Sequence, residues 1–195
     1  MRRVFKALVF AVAWVLVLPL IVLVWLEKRL TRSEELFLLC NQIMATGPGF
    51  VGRWLRAAYY CGTLDACSWE VHIGFGSLFS HRGARIGSRV STGSYCVLGH
   101  VTVEADVRMA SRVSVPSGRR QHFDAEGQLA TVTHFERVRI GGGSWIGEGA
   151  IVLADVGAHC IVAAGAVVTR PVTDGVTVAG NPARPLAAVN PEAAS

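Results

Sequence analysis

The stretch IGGGSWIGEGAIVLADVGAHCIVAAGAVV, residues 140–168, decides the fold. Large apolar residues recur six apart at Ile140, Ile146 and Val152, and again at Val156, Val162 and Val168. Four positions after most of them comes a small or β-branched residue: Ser144, Ala150, Cys160, Ala166 and Val172. An amphipathic helix repeats near 3.6 residues and a half-buried strand every two, so neither fits. A beat of six with one large and one small inward residue builds short flat strands joined by tight turns. Three such sides close a coil of about eighteen residues, the geometry of a parallel β-helix.

Working outward, the beat extends upstream through Ile73 and Phe79 and through Val97, Val103, Met109 and Val115. Ser77, Gly83, Val90, Val101, Val107 and Val113 fill the small position. Gly74, Gly87, Gly141, Gly147 and Gly157 follow large residues, where a turn is expected to need a permissive backbone. The period slips between Ile86 and Val97, and only four residues separate Val152 from Val156, which predicts bulges or shortened turns at those points. The largest interruption, Pro116 to about Glu136, is polar and carries no repeat. Insertions in a solenoid project as loops from one edge, and long loops of this kind carry function.

Upstream of the repeat the chain changes character. Ala7 to Leu26 are twenty successive uncharged residues, flanked by Arg2, Arg3 and Lys6 before and by Glu27, Lys28 and Arg29 after. As a helix they reach about 30 Å, one hydrocarbon core. The run is too long for a signal-peptide core and no small-x-small cleavage site follows it. Pro19 lies mid-run, so the segment reads either as one kinked span or as a re-entrant hairpin, the latter preferred. The cationic flanks balance and leave orientation open. Leu36 to Tyr60, broken by Gly47-Pro48-Gly49, reads as two short helices lying on a bilayer surface or, equally, as a helical hairpin covering the end of the soluble domain. The expected organisation is a membrane anchor over 1–32, interfacial or capping helices over 33–70, a β-helix over 71–186 with an extruded loop at 116–136, and a tail over 187–195.

Bulk properties are consistent with this. The 195 residues hold one domain and a short appendage. A composition 51% hydrophobic and only 17% charged excludes disorder, and 21 Gly without a three-residue period beside 7 Pro exclude a collagen-like chain. Five cysteines with no C-x-x-C pair argue against a disulfide scaffold or zinc ribbon. The net charge of +5 suits an acidic membrane surface or a polyanionic cofactor as well as nucleic acid, and sign alone chooses none of them; no nucleic-acid partner is expected.

The stretch from Ile140 to Leu186, with its WIG, AGAVVT and GNPAR elements, resembles the C-terminal signature of the hexapeptide-repeat O-acetyltransferases. The resemblance covers roughly residues 71 to 186, and FGSLFSHRGARIGS and YYCGTL look similar to members from bacterial exopolysaccharide biosynthesis. It implies an all-β, left-handed parallel β-helix, an exception to right-handed crossovers. It also implies a homotrimer that uses acetyl-CoA in grooves between neighbouring chains. Such chemistry needs a base for the acceptor hydroxyl, and histidine is suited to it. The family's catalytic His follows an S-G or T-G pair on the extruded loop. Ser117-Gly118-Arg119-Arg120-Gln121-His122 is the match, with two residues more than the usual S-G-x-H, and makes His122 the expected general base. His134 is the alternative, and Asp124 reads as a surface carboxylate. By resemblance Glu148, Ala164 and Gly165 border the cofactor arm, while Thr169, Arg170 and Arg184 sit at phosphate or adenine positions. No metal is expected, because His122 and His134 are twelve apart rather than in the H-x4-H pair of carbonic-anhydrase-like β-helices. The expectation is O-acetylation of a sugar hydroxyl on an exopolysaccharide, lipid-linked glycan or precursor, at the cytoplasmic membrane with the β-helix facing the cytoplasm. A non-catalytic membrane-anchored trimeric scaffold is the alternative.

Overall fold

Three helices precede the first strand in a computed structural model that describes residues 2–31, 33–118, 122, 128–129 and 135–186. They are α1 (Arg2–Leu30), α2 (Glu35–Ala45) and α3 (Gly49–Thr63). Pro19 lies inside α1, which runs unbroken, so the preferred re-entrant hairpin is corrected to one continuous helix. The single lost amide leaves the rest of a strongly apolar run free to stay helical. An 18-residue stretch of α1 has a mean hydropathy of 3.0, and residues 3–30 are long and apolar enough to cross a membrane by length and composition alone. Yet Ala13, Val17, Ile21 and Val24 form one buried stripe at helical spacing, packed with Ala57, Ala58 and Tyr59 of α3.

The break between α2 and α3 has a local cause. Pro48 has an extended backbone at the start of α3, where a missing N–H costs nothing. Gly52 then approaches Gly47 so closely that an added Cβ would sit 1.9 Å from the Gly47 carbonyl oxygen. No side chain at Glu34 caps α2; instead the buried carboxylate of Glu27, at the end of α1, accepts the amides of Leu36 (2.7 Å) and Phe37 (3.1 Å).

The rest of the described chain is a parallel β-solenoid of about six turns. The first turn holds β1 (Ala66–Cys67) and β2 (Leu78–Phe79), so strand pairing begins just ahead of Val71. The second holds β3 (Arg85–Ile86), β4 (Ser91–Thr92) and β5 (Val97–Leu98), and the third β6 (Val101–Val103), β7 (Arg108–Met109) and β8 (Ser114–Val115). After the long loop come β9 (Val138–Ile140), β10 (Trp145–Ile146) and β11 (Ile151–Val152), then β12 (Ile161–Val162) and β13 (Val167–Val168). The last turn holds β14 (Thr177–Ala179), which β15 (Arg184–Pro185) closes by pairing antiparallel. The first sheet stacks β1, β3, β6 and β9; the second β4, β7, β10, β12, β14 and β15; the third β2, β5, β8, β11 and β13.

Register shows that the turns are not uniform. Leu78 faces Val97, Val97 faces Ser114 and Ile151 faces Val167, so these turns take 19, 17 and, past the loop, 16 residues. The shortening falls at the corner between the third and first sheets. There Val152 is followed at once by Val156, as the short spacing predicted. The upstream slip lies elsewhere than expected. Ile86, Thr92 and Leu98 keep the beat of six, Leu98 is 1% exposed and Val97 is 43% exposed. The frame therefore shifts between Leu98 and Val103, and Val97 points outward. Thr92 hid the frame because its hydroxyl, buried in an apolar position, accepts the Gly74 amide at 3.1 Å.

Glycine's role also differs from expectation. Gly74 does not need an unusual φ; a Cβ there would lie 1.9 Å from the Gly93 oxygen of the next turn, so the requirement is closeness between stacked corners. The left-handed backbone falls two residues later, at Gly76, Gly143 and Gly149, and at Arg89, Tyr95, Asp106, Arg112 and His159 where no glycine is present.

The helices cover the open end of the solenoid, which would otherwise present unpaired strand groups. Buried Asn41 donates to the Phe79 carbonyl at 2.6 Å and accepts the Phe79 amide at 3.4 Å. Buried Arg56 donates from Nε to the Ile73 carbonyl at 3.0 Å, and the Tyr60 hydroxyl donates to the Ser77 carbonyl at 3.3 Å. Both α2 and α3 thus pack over the end of the solenoid.

Candidate functional site

The corner between the third and first sheets is where the solenoid is shortest and where its long loop leaves. Counting two residues past each inward residue of the third sheet gives His81, His100, Ser117, Ala154 and Arg170, stacked turn upon turn along this edge. The loop is pinched at its base. Buried Ser117 accepts the His100 amide at 2.8 Å, and its carbonyl accepts the Glu136 amide at 3.0 Å. Gly118 has φ +88, and a Cβ there would lie 2.7 Å from the Glu136 Cβ. His122 is an exposed residue in a turn beyond this pinch. His134 and Asp124 lie outside the described residues.

Two histidines of this edge carry specific partners. His81 Nδ1 lies 2.9 Å from Glu34 Oε2, and its ring centroid is 4.1 Å from that of Phe135, at the far end of the loop. Burial raises the Glu34 carboxyl, but the His81 hydrogen bond and the charges of His81 and Arg82 outweigh it and hold the group below its ordinary range. Arg82 spans Glu34 (3.3 Å) and Glu27 (3.5 Å), tying the edge to the helical cap. Because the Glu34 carboxylate can only accept, Nδ1 carries the proton toward it, and Nε2 is the ring atom through which His81 would exchange a proton with a substrate.

His100 differs. Arg137 Nη2 donates to its Nε2 at 2.6 Å, while Nη1 binds the Gly83 carbonyl at 2.8 Å. Desolvation and the Arg137 charge lower the His100 pKa, so the ring is a neutral acceptor whose lone pair is committed. Next to it along the edge, a cavity of about 470 Å³ is lined by Glu136, Arg137, Leu153, Asp155, Thr169 and Arg170, among others. Two guanidinium groups, two carboxylates and the loop base thus share one groove.

The other expected contact residues separate. Glu148, Ala164 and Gly165 lie at the corner between the second and third sheets, where the Gly165 amide donates to the Glu148 carbonyl at 2.8 Å and Glu148 pairs with Arg112 at 2.7 Å. A Cβ at Gly165 would meet nothing within 4 Å, so this corner is open to an approaching ligand. Thr169 and Arg170 lie across the third sheet from it, and Arg184 is exposed on β15. Within one chain the set therefore forms two edges rather than one groove. Among the described residues, no three His, Cys, Asp or Glu side chains converge as a metal-binding group, and the five cysteines are free.

His81, His100, Arg137 and Glu34 escaped the sequence reading. The signal was present in the spacing: His81 and His100 each fall two residues after an inward third-sheet residue, but reading Val97 as inward disguised the second. Glu34 is far from His81 in sequence and carried no local signal.

No family model and no curated protein matches the chain by sequence. Solved structures do. A maltose O-acetyltransferase from Clostridium difficile 630 superposes with a TM-score of 0.69 at 17% identity, over 78% of this chain and 84% of that one. A hexapeptide-repeat-containing acetyltransferase from Vibrio cholerae gives 0.59 at 19%, over 76% and 86%. A mutant N-acyltransferase from Bacillus cereus, in complex with dTDP and coenzyme A, gives 0.52 at 19%, over 64% and 73%. These likenesses establish the fold, a hexapeptide-type parallel β-solenoid.

Proposed function

We propose that this chain is an acetyl-CoA-dependent O-acetyltransferase acting on a sugar hydroxyl of an exopolysaccharide, a lipid-linked glycan or a precursor. The observation that carries the reading is the edge between the third and first sheets: a pinched loop bearing His122 beside a groove that holds Arg170. The similar solved structures are acetyl- or acyltransferases by name, which supports the reaction class. Either base would take the hydroxyl proton as the oxygen attacks the thioester carbonyl. A C–O bond forms, the C–S bond breaks, and the proton passes to the departing coenzyme A sulfur. His122 is the proposed base. Arg170 and Thr169 would hold phosphates, and Ala164, Gly165 and Glu148 would border the cofactor arm of a neighbouring chain. Splitting the set over two edges supports a homotrimer in which one chain's second-to-third edge meets another chain's third-to-first edge. Outward-facing Trp145 and Ile161, side by side in register, provide apolar surface for that contact. Because acetyl-CoA is cytosolic, the solenoid is placed at the cytoplasmic face of the membrane, with α1 as its anchor.

A second base is favoured by one observation, the Glu34-oriented imidazole of His81. Turnover of radiolabelled acetyl-CoA with candidate lipid-linked or nucleotide sugars separates the two. His122→Ala is expected to lose about 10²- to 10⁴-fold in kcat with the assembly intact. Near-wild-type turnover there, with the same loss in His81→Gln, would transfer the role to His81. If saturating acetyl-CoA leaves the melting temperature unchanged, the scaffold reading replaces the enzyme.

A further inference from the structure

α1 touches the rest of the protein along its whole length. Near its start, Arg3 and Lys6 line a cavity with Arg53, Glu70 and Arg89, and Phe10 lies 6.0 Å from Trp69. Near its end, Trp25 donates to the Gly62 carbonyl at 2.7 Å, Lys28 pairs with Asp65 at 3.3 Å, and Glu27 binds Arg82. A bilayer crossed by α1 would therefore also enclose the first solenoid turn, with the charges of Asp65 and Glu70 and the polar corners of its strands. Hydrocarbon does not admit such irregular polar backbone, nor charges without large cost. A perpendicular span is thus incompatible with this packing.

Away from its seam, α1 is apolar almost all round, with Leu8, Val12, Leu16, Val22, Leu23 and Leu26 exposed. A partner helix would need only a narrow stripe, whereas a lipid surface matches a broad face. Cations mark both ends, Arg3 and Lys6 at one and Lys28 and Arg29 at the other, with no acidic residue between Arg2 and Glu27. The cavity at the first end, about 490 Å³, adds Arg53 and Trp54. Arg53 lies 5.1 Å over the Trp54 ring, and the buried Trp54 indole N–H has no acceptor among the described residues. Burial and the charges of Arg53 and Arg56 lower the pKa of His72 in the same wall, a sign of positive potential there.

We propose that α1 lies in the plane of an anionic phospholipid surface, with a headgroup phosphate seated among Arg3, Lys6 and Arg53. This deepens the membrane part of the proposed function and is independent of acetyl transfer. The full chain, bearing an N-terminal tag, is incubated with sealed vesicles of phosphatidylcholine alone or mixed with phosphatidylglycerol, and flotation is measured. Binding to the mixed vesicles is expected to be at least about tenfold tighter, and exposed-residue variant Arg3→Gln/Lys6→Gln to lose most of that preference while keeping its melting temperature. External protease is expected to remove the tag and the solenoid together. A tag protected inside the vesicles would overturn the in-plane geometry in favour of a span. Equal affinity for both vesicles, or a preference abolished equally by inorganic phosphate at physiological concentration, would overturn the lipid headgroup site. Absence of binding to either would overturn membrane docking, while turnover with soluble sugars would still report on the enzyme.

Discussion

Replacing Asn41 with Ala tests whether the helical cap is what closes the solenoid's open end. The side chain is fully buried and serves Phe79 as a neighbouring strand would, donating to its carbonyl at 2.6 Å and accepting its amide at 3.4 Å; it also accepts the Tyr60 hydroxyl. Removing it leaves one strong and one long hydrogen bond unmade in the interior. Tyr60 retains the Ser77 carbonyl at 3.3 Å, so its hydroxyl is rescued in part. At about 1–3 kcal/mol for each buried group left unpaired, the expected loss is about 2–4 kcal/mol, a large share of a domain's stability. Denaturant unfolding of the full chain in detergent measures the total, and amide exchange at Phe79 locates it. Asn41→Asp keeps the acceptor for Phe79 and Tyr60 but loses the donor and buries a charge, so it is expected to be no better than Ala. A loss below about 0.5 kcal/mol for Asn41→Ala, with Phe79 exchange unchanged, would refute the role of the cap.

Further expectations follow from the corners, the register and the titrating groups. Gly74→Ala is expected to cost more than Gly149→Ala, because a Cβ at Gly74 strikes backbone at 1.9 Å whereas Gly149, at φ +66, opens on empty space and meets only the left-handed penalty of about 1–2 kcal/mol; thermal melts that reverse the order would contradict the stacked-corner account. Leu98→Ala should lose about 2–5 kcal/mol and Val97→Ala under about 1 kcal/mol, and equal losses in denaturant titrations would return the frame shift to its other position. His100 has a lowered folded pKa through burial and Arg137, so the unfolded chain binds more protons. Its contribution is complete above the unfolded value of about 6.5 and is lost as pH falls below it. His100→Gln, which can still accept from Arg137 without titrating, should flatten stability between about pH 7 and pH 5; parallel profiles for the two proteins would rule this out.

Periodicity determined a good deal on its own. The beat of six from Ile140 to Val168, with small residues between, admits few arrangements other than a three-sided coil, since side-chain direction along a strand is a local property. The interruption at 116–136 was legible for the same reason, as the longest stretch without the beat, and Gly47-Pro48-Gly49 marked the break between α2 and α3 through backbone restriction alone. What lies across a turn was not legible. Leu98 rather than Val97 is inward, in a frame that Thr92 continues by filling an apolar position with its hydroxyl bonded to the preceding turn. His81 acquires Glu34, 47 residues away, only when the helical cap is folded over the corner, and His100 acquires Arg137, 37 residues away, only when the turn after the long interruption is stacked on it. The apolar run of α1 reads as a membrane segment, a span or a re-entrant hairpin, in sequence because hydropathy is a sum over residues. Its attachment at both ends to the first turn is a matter of contacts, which only the tertiary structure decides.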